Sequence, residues 1–186
     1  MTIPLTPSVH SFLGYNIPSL IAERARTRTS HPFLIWHPFD GERRSWTYGQ
    51  FHHDVERVAA GLIKRGVSPG ERVLIHLENC PELLLSWYAC ARINAIAVTT
   101  NARSTADEIS YFSEHASVCG AITQPAFEQL IASNAKSIKW LTITDHDSGT
   151  PAETNKSPNT KNHWEQNYLK LIQFCRLKNL TAKQAA

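Results

Sequence analysis

The chain has 186 residues, of which 42% are hydrophobic and 19% charged, and its formal net charge is +3. These values are ordinary for a globular protein with one core, or for part of a larger domain. The charge is uneven: residues 1–160 carry 14 basic and 15 acidic side chains (net −1), whereas residues 161–186 carry five and one (net +4). The nearly neutral body argues against a nucleic-acid partner, because the basic excess belongs to the tail.

The sequence also argues against a membrane protein and against a metal centre. Its longest apolar stretch, residues 83–98, is interrupted by Arg92 and Asn94, and no basic region followed by an apolar run opens the chain. We therefore expect no membrane span and no secretory signal. The four cysteines are Cys80, Cys90, Cys119 and Cys175. None has the spacing of metal ligands, so we expect free thiols, no metal site and a cytoplasmic location.

The first elements are predicted from amphipathic spacing and turn residues. Residues 1–17 read as an irregular arm, and Pro18 to about Arg28 as an amphipathic helix. The apolar run 33–36 predicts a strand. The Asp40-Gly41 pair predicts a turn that returns residues 43–46 as the second strand of a hairpin.

The next helix has the clearest local signals in the chain. Thr47 followed by Gln50 has the spacing of a capping box, and Trp46 with Phe51 has the spacing of a hydrophobic staple. Apolar residues then recur at positions 48, 51, 55, 58, 59 and 62. Gly66 stands where a left-handed residue would end the helix.

From residue 72 onward, short strands alternate with helices. Strands are predicted at 72–76, 95–98, 118–123 and 138–144. Helices are predicted after Pro81, from a second capping box at Thr105 and Glu108 to His115, and at 125–133. The alternation predicts parallel strands joined by crossover helices, and therefore an α/β layered fold with a mostly parallel sheet.

The domain plan follows from these elements. Residues 18–144 form the α/β part, and the Ser-, Thr-, Asn- and Pro-rich residues 145–160 are predicted to be a polar linker. Residues 161–186 are predicted to be an unrelated basic tail. Its apolar residues have near-helical spacing, so a helix is one candidate structure for it.

Several segments in order resemble a known family. They are Trp46-Thr47-Tyr48-Gly49-Gln50-Phe51, Ala60-Gly61-Leu62, Gly66-Val67-Ser68-Pro69-Gly70-Glu71-Arg72-Val73, Asn79-Cys80-Pro81-Glu82, Asn101-Ala102-Arg103 and Thr105 to Glu108. Together they resemble the N-terminal portion of the adenylate-forming (AMP-dependent) acid–CoA ligases, over about residues 18–145. The look is that of the carnitine/crotonobetaine–CoA ligase branch. Asn94 and Thr99 depart from the family pattern, which has Gly and Pro there.

The resemblance implies a reaction and its cofactors. Such enzymes use ATP and Mg to convert a carboxylic acid into an acyl-adenylate, and CoA then displaces AMP. The family's Ser/Thr/Gly-rich phosphate loop, acidic ribose motif and C-terminal lysine are not in these 186 residues, and no catalytic residue is carried over. The resemblance implies one binding residue, Arg103, for a phosphate of CoA. We therefore expect a fragment of an acyl-CoA synthetase of fatty acid or carnitine metabolism that is inactive alone, from a truncated or frame-shifted gene or a partial gene model.

Two other classes of protein stay open: a non-catalytic interaction or regulatory α/β module whose tail docks a partner, and an unrelated small α/β binding domain.

Individual residues have structural interpretations as well. We predict that His52-His53-Asp54 form a solvated helix face, because neighbouring residues on a helix point in different directions. His76 and Cys80 are predicted to be structural, although a position next to a helix cap could lower the pKa of Cys80. Trp87 and Tyr88 are predicted to be core residues.

Overall fold

The computed structural model of the protein describes residues 13–38 and 42–147. The helices are α1 (Ile17–Thr27), α2 (Tyr48–Lys64), α3 (Pro81–Arg92), α4 (Ala106–His115) and α5 (Glu128–Asn134), the last preceded by a 3-10 turn at Pro125–Phe127. The strands are β1 (Pro32–Trp36), β2 (Arg44–Thr47), β3 (Arg72–His76), β4 (Ile96–Thr99), β5 (Gly120–Thr123) and β6 (Leu141–Ile143).

The strands form two sheets. β1 and β2 pair in antiparallel fashion, which confirms the predicted pairing, while the proposed Asp40-Gly41 turn lies outside the described residues. The other four strands are all parallel, in the order β4-β3-β5-β6. The predicted α/β fold with a parallel sheet is therefore confirmed.

Helices cover the parallel sheet on both faces, because side chains alternate along each strand. Val73 and Ile75 of β3 belong to a buried cluster with residues of α2 and α3. Leu74 belongs to a second buried cluster with Ile109 of α4 and Ile131 of α5. Both faces of β3 are therefore buried, as is typical of a parallel sheet between helix layers.

The local signals in the sequence correspond to observed caps. Thr47 with Gln50 and Thr105 with Glu108 form reciprocal capping boxes, as predicted. A third box, between Asn16 and Ser19, starts α1 and was not predicted. Trp46 and Phe51 lie in one buried cluster around the start of α2. Local side chain–backbone bonds thus fix where these helices begin.

The backbone conformation confirms the predicted helix end at Gly66 and accounts for one of the two departures from the family pattern. Gly66 has a φ of +83° and Asn94 a φ of +57°, so both adopt the left-handed conformation. Asparagine tolerates this conformation better than most residues, which accounts for Asn94 at a position where glycine is usual. Thr99 lies on the edge strand β4. The amides of Ile96 and Thr100 donate to the Glu71 and Ile75 carbonyls, so alternation directs the Thr99 amide away from β3. Because this amide is not part of the ladder, either a proline or a threonine fits at position 99.

The structure corrects one predicted core residue and several boundaries. Trp87 is 45% exposed, whereas Leu85 and Ala89 on the same helix are buried. A residue two positions after Leu85 is rotated by about 200° around a helix, so the Trp87 side chain points away from the cluster that Leu85 forms with Phe51 and Val55. The last two predicted strands are shorter, at 120–123 and 141–143, and the predicted helix 125–133 begins as a 3-10 turn.

Gly120, the first residue of β5, allows a close approach of the Trp140 ring. A Cβ atom added at Gly120 would lie 2.0 Å from the nearest ring atom of Trp140. Trp140 is buried, and the guanidinium of Arg65 lies 5.7 Å from the centre of its ring. The absence of a side chain at Gly120 is therefore a packing requirement.

We expect Gly120→Ala to lower the free energy of unfolding by about 1–3 kcal/mol, because the buried indole cannot move aside without overpacking its neighbours. Gly61→Ala is the matched control: its Cβ would meet only the Arg65 Nη1 atom, at 3.7 Å, inside α2. That change should raise stability by about 0.5–1 kcal/mol. Urea unfolding followed by tryptophan fluorescence measures both, and a Gly120→Ala protein as stable as the parent would contradict the packing argument.

Candidate binding site at the carboxyl edge of the sheet

The four parallel strands end at one edge, which carries a crevice defined by the topology. From β3 the chain passes through α3 to β4 on one side, and from β5 it passes through α5 to β6 on the other. The strand connections therefore separate between His76 and Thr123, the last residues of β3 and β5. In open α/β sheets, ligands bind outside the carboxyl ends of the strands at such a switch point.

His76 lies at the centre of this edge and is fully buried. Its Nδ1 atom is 2.8 Å from the hydroxyl of Thr100, which follows β4, and its carbonyl accepts a hydrogen bond of 2.9 Å from the Thr123 hydroxyl. The ring packs edge-on against Phe127 at 4.8 Å between centroids. His76 therefore contacts segments at the ends of β4 and β5 and is packed inside this edge of the sheet.

The ring of His76 has one nitrogen without a partner among the described residues. Its Nε2 atom is buried and forms no hydrogen bond there. Burial lowers the pKa of His76 below its ordinary value, because the charged imidazolium would lose its hydration. Burial thus favours the neutral form of the ring.

Gln124, the residue after β5, joins two further segments of the edge. Its side-chain oxygen accepts a hydrogen bond of 3.0 Å from the Glu78 amide. Its Nε2 atom donates at 3.1 Å to the carboxylate of Glu78 and at 3.1 Å to that of Asp147. Asp147 also accepts from the Ala126 amide at 2.8 Å. These contacts fix the chain where it leaves β6.

Arg103 lies on the loop between β4 and α4, at the same edge. Its amide donates to the Asn101 side chain at 2.9 Å, and the Ser104 amide donates to the Asn101 carbonyl at 2.9 Å. The Arg103 residue is exposed. The turn fixes the Arg103 backbone at the carboxyl edge, and an exposed guanidinium at this position has the donor geometry that suits a phosphate group.

Thr100, Gln124 and Asp147 were not identified from the sequence. One signal for them exists: Thr100 and Gln124 are polar residues directly behind short apolar strands, where parallel strands present their ends to one edge. Nothing local marked Asp147, because its partners depend on how β6 is placed beside β5.

Cys80 is the N-cap residue of α3, but its side chain forms no capping hydrogen bond. Burial, reinforced by the Glu82 carboxylate, raises the pKa of the Cys80 thiol to about 12. The helix cap therefore does not lower the pKa of Cys80, and the prediction that Cys80 is structural holds. Cys90 and Cys119 are also free and buried, and Cys175 lies outside the described residues.

Asp54 corrects the prediction that residues 52–54 form a solvated face. Its residue surface is only 8% exposed, and its carboxylate accepts a hydrogen bond of 3.2 Å from Trp46 Nε1. Burial raises the pKa of Asp54, while the Trp46 bond opposes that rise. The position lies three residues after the buried Phe51, at the border of the apolar stripe of α2.

A cavity of about 50 Å³ lies where α2 and α3 pack near Ile122 of β5 and Thr142 of β6. Its lining residues are Arg57, Val58, Gly61, Leu62, Arg65, Glu82, Ser86, Ile122, Thr142 and Thr144. Neither His76 nor Arg103 lines it. The cavity has room for a few water molecules, which is small for a nucleotide or an acyl substrate.

Of the three expected ligands, CoA has a candidate contact among the described residues. No group of three or more His, Cys, Asp and Glu side chains in the described ranges could hold a metal ion. The glycines of these ranges stand singly rather than as a run of amides around a phosphate chain, so they form no cradle for ATP. The exposed guanidinium of Arg103 can donate hydrogen bonds to one phosphate of CoA at the protein surface.

The parallel sheet between helix layers, with its binding edge, defines the class of an α/β ligand-binding subdomain. The model of one family, described as AMP-binding enzyme, matches residues 21–185. The chain therefore belongs to the AMP-binding enzyme family. The match includes residues of the predicted linker and tail, whose boundaries stay a prediction.

Individual proteins support the same assignment. The chain is 28% identical over 116 residues to a crotonobetaine/carnitine–CoA ligase of Escherichia coli O6:K15:H31 (strain 536), covering 60% of this chain and 22% of that protein. The N-terminal domain of FACL13 from Mycobacterium tuberculosis superimposes with a TM-score of 0.64 at 22% identity, covering 77% of this chain and 40% of that one. A benzoate CoA ligase from Burkholderia xenovorans LB400 gives 0.64 at 18% identity, covering 86% and 28%.

These comparisons confirm the resemblance to acid–CoA ligases and place the chain in their N-terminal region. At such low identity the two structures show the fold alone. The chain spans about a fifth of the length of the curated relatives that it matches. Among the described residues, no helix is long and apolar enough to cross a membrane.

We expect the stability of the protein to fall as the pH drops below about 6.5, the ordinary pKa of histidine. The pKa of native His76 is depressed, so the unfolded chain takes up this proton first and stability is lost as the pH falls through that window. His76→Asn should give a shallower decline. Urea unfolding between about pH 7.5 and about pH 5.5 compares the slopes. Asp54 is present in both proteins, so its contribution cancels, and equal slopes would contradict the assignment to His76.

Proposed function

We propose that the chain is the N-terminal region of an ATP-dependent acid–CoA ligase that acts on a small carboxylic acid of the carnitine or crotonobetaine type. The single observation that carries this proposal is the family match over residues 21–185. It is supported by the name of the 28% identical relatives, crotonobetaine/carnitine–CoA ligase. The complete reaction converts carboxylate, ATP and CoA into acyl-CoA, AMP and pyrophosphate.

The 186-residue chain does not complete this reaction by itself. The chemical step must stabilise the charge that develops when the bond to pyrophosphate breaks, and this requires donors or a metal ion around the phosphates. Neither a run of glycine amides nor a cluster of carboxylates is present in the described residues. The sequence beyond them contains no glycine-rich segment ending in Lys-Gly either.

We expect the purified 186-residue protein to release no AMP and to catalyse no exchange of pyrophosphate into ATP when ATP, magnesium, CoA and carnitine or crotonobetaine are supplied. The physical reason is the missing phosphate cradle. The Escherichia coli ligase, assayed under the same conditions, is the positive control. AMP release that depends on both acid and CoA would show that the chain is a complete catalyst and would overturn this part of the proposal.

The role of this region in the complete enzyme is to present Arg103 to a phosphate of CoA. The side chain is exposed, so CoA can reach it, while the turn formed by Asn101 fixes its backbone. An exposed ion pair contributes up to about 1 kcal/mol. Binding through this contact alone is therefore weak.

We expect Arg103→Ala to weaken CoA binding to the 186-residue protein by about 3- to 5-fold. An NMR titration that extends to millimolar CoA measures the change. Lys136→Ala is the matched control: this exposed residue precedes β6 at the opposite, amino edge of the sheet, and its loss should leave binding unchanged. 3′-Dephospho-CoA should bind the parent and Arg103→Ala equally if the 3′-phosphate is the group contacted.

Equal CoA affinity of the parent and Arg103→Ala would refute the role of Arg103. A stably folded 186-residue protein that shows no interaction with CoA would instead favour the alternative class, a non-catalytic interaction or regulatory module built on the same subdomain.

A further inference from the structure

We propose that His76 is a positioning residue for the loop that carries Arg103: its ring holds Thr100 and so fixes the turn at residues 101–104 against the sheet. This inference rests on the proposed role of Arg103 in binding CoA. It adds a residue that lies in the core, away from the exposed Arg103 side chain. It is supported by the distances, the burial and an unpaired ring nitrogen.

The His76 ring is a rigid anchor. It stands on the last residue of β3, which pairs with β4 on one edge and β5 on the other. The Thr123 hydroxyl donates to the His76 carbonyl at 2.9 Å, and Phe127 packs against the ring. A side chain that is fully buried among such contacts has little freedom to move.

A short series of contacts leads from this anchor to Arg103. His76 Nδ1 lies 2.8 Å from the Thr100 hydroxyl, and the Thr100 amide donates to the Ile75 carbonyl at 3.2 Å. Thr100 is followed directly by Asn101, whose side chain accepts from the Arg103 amide at 2.9 Å. Two bonds from β3 thus hold the start of the loop, and two bonds to Asn101 within the loop fix the backbone turn on which Arg103 lies.

Packing alone does not account for a histidine at this position. The Nε2 atom is buried without a hydrogen bond among the described residues, and an unsatisfied buried polar group destabilises a fold. A leucine would fill the same space without that cost. The bond from Nδ1 to Thr100 is what the histidine adds, and it acts on the loop at the binding edge. Residues that break a local rule of stability are typical of functional sites.

The test compares three variants of the 186-residue protein. His76→Leu removes the ring nitrogens and keeps an apolar side chain, whereas His76→Asn keeps a polar atom close to the position of Nδ1. Thr100→Val removes the partner hydroxyl at a half-buried site and retains the shape of the side chain, so it gives a result even if His76→Leu fails to fold.

Amide hydrogen exchange gives a readout that does not depend on CoA. We expect His76→Leu and Thr100→Val to speed exchange at Thr100, Arg103 and Ser104 by about 5- to 10-fold, the effect of losing one hydrogen bond. Exchange in β5 and α2 should stay unchanged, and His76→Asn should resemble the parent. Unchanged exchange in residues 100–104, or faster exchange spread evenly over the sheet, would overturn the proposal.

CoA titration separates this proposal from the one on which it rests. We expect both loosening variants to weaken CoA binding by no more than Arg103→Ala does, and to have no further effect in the Arg103→Ala background. If Arg103→Ala itself leaves CoA binding unchanged, the proposed function fails while the exchange data still decide whether His76 holds the loop. If Arg103→Ala weakens CoA binding, and Thr100→Val loosens the loop but leaves CoA binding unchanged, the positioning role of His76 is wrong.

Discussion

The structure depends on strand β3, which is hydrogen-bonded on both edges and buried on both faces. Val73 and Ile75 face one helix layer and Leu74 faces the other. Each fully buried side chain of this kind stabilises a fold by about 1.5–3 kcal/mol. Because β3 is central, its end also fixes where the crevice of the carboxyl edge lies. The site is therefore a consequence of the same strand that organises the core.

Polar contacts at the carboxyl edge connect the segments that follow all four parallel strands. His76 links the ends of β3, β4 and β5, and Gln124 links Glu78 in the loop after β3 to Asp147, which follows β6. Such contacts stabilise little in net terms, but each leaves a buried group unsatisfied when broken. These contacts fix the relative positions of the segments that follow the strands, which the packing of the helix layers does not determine. This is where a family that joins acids to CoA would be expected to place its binding groups.

Two predictions about single residues, Asp54 and Trp87, were wrong for one shared reason: the sequence gives the residue type but not the direction in which its side chain points. Asp54 is buried because it borders the apolar stripe of α2 and reaches Trp46. Trp87 is exposed because only the opposite side of α3 faces the sheet. For Cys80 the predicted structural role holds, because burial outweighs the effect of the helix start on the thiol pKa. In each case the outcome depends on which neighbours pack against the side chain, and these neighbours come from other elements of the fold.

The sequence by itself determined the starts of α2 and α4, the left-handed cap at Gly66, the alternation of strands and helices and the family. These follow from residues close together in the chain, such as Thr47 with Gln50, or from a motif series read in order. Only the tertiary structure decided that Thr100 meets His76 across 24 positions, that Gln124 meets Glu78 across 46, and that Trp140 packs on Gly120. Local bonds are fixed by spacing along the chain. Contacts between strand ends depend on the direction of each crossover, which no short segment encodes.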